Sequence, residues 1–147
     1  MKKLFTLLAM VLAVISAPAD DQPATNTYCV QLIRGTTENK PPAKDTKPID
    51  ASLDKSLHKV FKTKSFWEVQ RRTVVLKDSA KTQVNLKGKR AVEIDLSVPG
   101  KRRVATFEDG KLVKRMVRPA GQAMTVMGGD FDENSVWFIV VRRDVPP

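Results

Sequence analysis

The sequence predicts a mostly β fold, an antiparallel meander forming a small sandwich or barrel with one short amphipathic helix. Three observations predict it. Turn signals recur about every ten residues from Asp78 onward, the rhythm of consecutive hairpins. The segments between them alternate apolar and polar, as in Ala91–Val98, where Val92, Ile94 and Leu96 face inward and Glu93, Asp95 and Ser97 outward. Near the C-terminus, Val136–Val141 is apolar on both faces, with Val136, Phe138 and Val140 on one side and Trp137, Ile139 and Val141 on the other. A strand of that kind must be covered twice, which makes it a central strand.

The elements follow in order. Lys2 and Lys3, then the 12-residue apolar run Leu4–Ile15, then Ser16-Ala17-Pro18-Ala19, form the plan of a secretory signal peptide over residues 1–19. Cleavage is expected after Ala19, with Ala17 and Ala19 as the small-residue pair, because Pro18 disfavours a cut after Ala17. The apolar run is too short for an ordinary membrane span, so no transmembrane segment is expected after processing. The chain is therefore expected to be exported, to a periplasm or the medium.

Residues 20–35 hold a polar lead-in and a first strand, Thr27–Gly35. Residues 36–51 carry Pro and Lys without an apolar period and read as a linker. Residues 52–144 read as the β-rich domain and 145–147 as a tail. Ser52 is placed as the N-cap of a helix over about 53–61, with Leu53, Leu57, Val60 and Phe61 at helical spacing. Strands are expected at Phe66–Leu76, Thr82–Leu86, Ala91–Val98, Arg103–Phe107 and Leu112–Val117. Asp109-Gly110 is the strongest hairpin signal, since both residues suit the positive φ angles of a type I′ turn. Two last strands joined by an acidic turn complete the chain.

Composition narrows the chemistry. One Cys, Cys29, rules out an internal disulfide, and one His, His58, leaves too few ligands for a closed zinc site. Cys29 and His58 lie on opposite sides of the linker, with no third group to orient the imidazole, so they do not read as a nucleophile–base pair. Cys29 could instead join two chains through an intermolecular disulfide. Glu93 and Asp95 share one strand face with no opposing acidic strand and are expected to pair with Lys or Arg across the sheet. No catalytic residue and no cofactor is assigned. Asp130, Asp132 and Asn134 have the spacing that opens an EF-hand-type calcium loop, but Ser135 and Val141 replace its Gly and its bidentate Glu, so this is a weak calcium candidate beside an ordinary acidic turn.

Loss of Lys2 and Lys3 takes the 26 basic residues to 24, so against 16 acidic residues the net charge falls from +10 to +8. Lys87, Lys89, Arg90, Lys101, Arg102, Arg103 and Lys111 are the candidate polyanion contacts, spread over both ends of the meander rather than focused in one groove. Further basic clusters lie at Arg71-Arg72, at Lys114-Arg115 with Arg118, and at Arg142-Arg143. A nucleic-acid reader interleaves aromatics with such charge, and Trp67, Phe107, Trp137 and Phe138 read as core instead, so no specific nucleic acid is expected.

The run Gly121–Val141, with Gly121 preceding Gly128-Gly129 and then an apolar strand, resembles the closing hairpin of secretin-type envelope β-domains. Leu53–Trp67, a short helix followed by an aromatic-rich strand, looks like a type of small exported bacterial β-rich protein. The chain is too short for a pore-forming secretin, so the resemblance implies an envelope-associated β-module and transfers no catalytic residue. The resulting expectation is a non-enzymatic binding or scaffolding module of the bacterial cell envelope with a protein partner. The alternative is a basic protein that binds an anionic lipid or glycan surface. An enzyme with its site on strand-end loops is the remote third.

Overall fold

The computed structural model describes residues 25–132 and 134–143, and of residues 25 and 129–132 the backbone alone. The expected signal peptide over residues 1–19, with its expected cleavage after Ala19, and the tail 145–147 lie outside the described residues. The elements are β1 (Thr25–Thr36), β2 (Lys47–Pro48), α1 (Ala51–His58), β3 (Ser65–Lys77), β4 (Lys81–Leu86), β5 (Arg90–Asp95), β6 (Lys101–Glu108), β7 (Lys111–Pro119), β8 (Met124–Asp132) and β9 (Ser135–Arg142). All strand pairs are antiparallel. One sheet runs β2-β3-β1-β9-β8 and the other is the meander β4-β5-β6-β7.

Alternation along the strands sorts side chains into two apolar layers. Val30, Leu32, Ile139 and Val141 of the first sheet meet Val84, Val92, Ile94 and Val104 of the second, and this layer holds the sheets together. On the other face of the first sheet, Ile33, Phe66, Phe138 and Val140 are covered by Ile49 and by Leu53 and Leu57 of α1. The apolar-on-both-faces strand is thus β9, set between β1 and β8, with the division of side chains the sequence predicts. Burying each such side chain contributes about 1.5–3 kcal/mol before entropy is counted.

The helix starts earlier than its pattern suggests. Asp50, not Ser52, is the N-cap, its carboxylate accepting from Leu53 N–H at 3.0 Å, and the helix ends at His58 with Lys59 as C-cap. The segment 36–51 is not a free linker along its length. Lys47 and Pro48 pair with Trp67 and Glu68 of β3, Ile49 is buried, and Asp45 meets Lys87 at 2.8 Å. Alternation missed β2 because two residues are too few to show a period. The first strand, β1, lies at the middle of the first sheet between β3 and β9.

The turns follow their chemistry. Asp109 and Gly110 have φ of 50° and 75°, the type I′ geometry. Gly128 packs its backbone on β9, where an added Cβ would stand 2.5 Å from the Trp137 carbonyl oxygen. Among the described residues, no helix is long and apolar enough to cross a membrane.

Candidate functional site: a basic open edge

The seven cations singled out in the sequence separate into three kinds. Arg102 is a correction. Its side chain has no exposed surface, because strand alternation places it on the face of Val104, between the sheets. Its guanidinium donates to the Gln122 carbonyl at 2.8 Å and to Thr125 Oγ1 at 2.8 Å, and lies 5.6 Å from the Tyr28 ring centroid. It ties the β7–β8 connection to the core and is not available to a polyanion. The signal was present in the parity of Arg102 with Val104 and Thr106, but the Lys101-Arg102-Arg103 run reads as a surface cluster when taken as charge alone.

Four more are engaged with carboxylates. Lys87 meets Asp45 at 2.8 Å, and this ammonium holds the Asp45 carboxyl below the usual range. Lys89 lies 3.7 Å from Asp109 and Arg103 3.8 Å from Asp95. Asp95 is held low first by the Ser97 hydroxyl and N–H and then by Arg103, the cross-strand pairing expected for that carboxylate. Arg90 is mostly covered, 4.3 Å over the Trp137 ring centroid and 4.0 Å from Glu108. Lys101 and Lys111 are exposed, and among the described residues no carboxylate lies within ion-pair distance of either.

The structure assembles a different surface, at β7. Lys114, Arg115 and Arg118 join Lys111 on this strand, and among the described residues none of the four has a carboxylate within ion-pair distance. Among the described residues β7 pairs with β6 alone, so its other side presents open backbone groups. Leu112, Val113 and Val117 are exposed by 49%, 46% and 47%, large values for apolar side chains in a strand. Met116, opposite Val104, packs on the core, so Lys114 and Arg118 share its inner side while Arg115 and Val117 take the outer one. Lys114 Nζ reaches across to the Gly128 carbonyl of β8 at 3.2 Å and bridges the two sheet edges. Behind that bridge, a cleft lined by Thr106, Val113, Met127 and Trp137 holds about 30 Å³, room for water rather than a ligand.

The remaining candidates are not brought together. Cys29 has no exposed surface and lies opposite Thr73 and Arg142, so an intermolecular disulfide is blocked in the folded chain. His58 is exposed at the end of α1 against Phe66, which pairs with Gly35, six residues along β1 from Cys29 and so roughly 20 Å away. The backbones of Asp130 and Asp132 are extended and paired with Trp137 and Ser135, not coiled as an EF-hand-type loop requires, and their side chains lie outside the described residues. Asn134 is exposed in the turn that follows.

No family model matches the chain, and neither a curated protein nor a solved structure matches it. The likeness of the closing hairpin to secretin-type envelope β-domains rests on its residues alone.

Proposed function

We propose that this chain is an exported, non-enzymatic binding or scaffolding module of the bacterial cell envelope, and that it binds through the β7 edge. The observation that carries the reading is the coincidence on one open strand of four cations and three half-exposed apolar side chains. Unpaired ladder groups beside apolar area are what a protein partner covers. The signal-peptide plan at residues 1–19 supports an envelope or extracellular station.

The second reading is a polyanion-binding protein, favoured by the same cations, with lipid phosphates or anionic glycans as ligand. Crosslinking in the native envelope, with a tagged copy recovered for mass spectrometry, separates the two. A dominant protein partner at near-stoichiometric yield, lost in a Leu112→Asp/Val117→Asp variant, supports the module. Recovery on the membrane fraction without a protein partner, with fourfold more salt weakening it roughly a hundredfold, moves the polyanion reading to first place. Retention of the partner by the variant overturns β7 as the surface.

A further inference from the structure

We infer that the β7 edge takes an acidic, extended polypeptide segment as an added fifth strand of its sheet, an inference that rests on the β7 binding surface proposed above. The edge has a defined length. Lys111–Arg118 can form a ladder, and Pro119 closes it because proline has no N–H to donate. Its chemistry is polarised, with cations on both sides of the strand, Lys114 and Arg118 on the inner and Arg115 on the outer. An added strand alternates its side chains between the same two sides, so carboxylates in either register meet a cation. Lys114 is already fixed on the inner rim by its bond to the Gly128 carbonyl.

Charge complementarity selects this occupant over the others. A second copy of β7 would set Lys and Arg opposite Lys and Arg, which like-charge repulsion disfavours. A glycan would use the cations and leave Leu112, Val113 and Val117 idle, and a lipid surface would leave the open backbone groups of the strand without a ladder partner. Edge protection alone accounts for Lys and Arg but not for three apolar side chains half exposed among them.

The test uses the full mature chain and three probes: a fluorescein-tagged peptide of alternating Glu and Val matching the Lys111–Arg118 ladder in length, the same peptide N-methylated at every internal amide, and inorganic polyphosphate. The N-methylated form keeps the charge and loses the ladder donors. The expected result is saturable binding of the first peptide, at least tenfold weaker binding of the methylated one, and slowed amide exchange along β7 on binding. Equal binding of the two peptides overturns strand addition and leaves β7 standing as a charged binding surface. Polyphosphate binding without peptide binding overturns the acidic-segment inference in favour of a polyanion. Peptide binding unchanged in a Lys114→Glu/Arg115→Glu variant that still melts cooperatively overturns both this inference and the surface on which it rests.

Discussion

Arg102 holds a positive charge between two sheets, with backbone carbonyls, a hydroxyl and a tyrosine ring around it and, among the described residues, no carboxylate in ion-pair reach. Desolvating such a charge is costly, and its hydrogen bonds offset that cost only in part. Arg102→Met, which fills the same space but leaves the Gln122 carbonyl and the Thr125 hydroxyl without their donor, is therefore expected to lose about 1–2 kcal/mol in urea unfolding. Arg102→Ala leaves a cavity and two unmet acceptors, and is expected to lose about 2–4 kcal/mol. His58 gives a pH dependence. Its imidazole is bonded to the Asp54 carbonyl at 2.9 Å and to the Lys64 carbonyl at 3.3 Å, contacts that favour the protonated ring and raise its pKa, the Asp54 carbonyl first. A raised folded pKa stabilises fully below the unfolded value of about 6.5 and is lost as pH rises through the folded value. The melting temperature of the parent, relative to His58→Ala, is expected to fall between mildly acidic and mildly alkaline pH.

At the scale of the element, β9 and α1 behave differently. Val140 has no exposed surface in a strand flanked by β1 and β8. A carboxylate there carries a penalty of several kcal/mol against a total stability of about 5–15, so Val140→Asp is expected to yield unfolded or insoluble chain by circular dichroism. The helix depends on Asp50. Burial raises the Asp50 pKa, but the Leu53 N–H and the Arg142 guanidinium at 2.6 Å outweigh it and hold the carboxyl low. A lowered folded pKa stabilises above the unfolded value and is lost as pH falls through the folded one. Asp50→Ala is expected to cost about 2 kcal/mol at neutral pH and to narrow its gap to the parent under acid. The contrast shows what the sequence carries. β4 and β5 are legible because their side chains alternate, β6 and β7 because Pro99-Gly100 and Asp109-Gly110 mark their turns, and β9 because it is apolar on both faces. The cap at Asp50 is not, because Ser52 offers an equally good capping chemistry and only the packing of Ile49 and the reach to Arg142 decide between them.

For the whole molecule, a single apolar layer joins the two sheets, and Trp137, Leu32 and Ile94 belong to it together. Neither sheet keeps its side of that layer covered without the other. Unfolding is expected as one transition, with near- and far-ultraviolet circular dichroism superposing; separated midpoints would mean that the sheets melt independently. The candidate site was half legible at this scale. The sequence locates the cations, and their formal charge says nothing of which ones face carboxylates. Lys87 finds Asp45 from 42 residues away and Arg90 finds Trp137 from another sheet, pairings that no local pattern encodes. The openness of β7 is likewise a property of sheet order, since Leu112–Val117 looks the same as a strand with two neighbours.

The central place of β1 has a consequence in time. Its two neighbours come from the middle and the end of the described chain, and contacts such as Arg34 Nε to Ser135 Oγ span 101 residues. Closing so long a loop costs entropy before the ladder returns any of it, which places folding in the slow, millisecond-to-second class of non-local β proteins. If synthesis or export delivers the chain N-terminus first, β1 can complete its pairing only after the last strand arrives. Until then it is a naked apolar edge and the segment of this protein most exposed to aggregation or to capture by a chaperone.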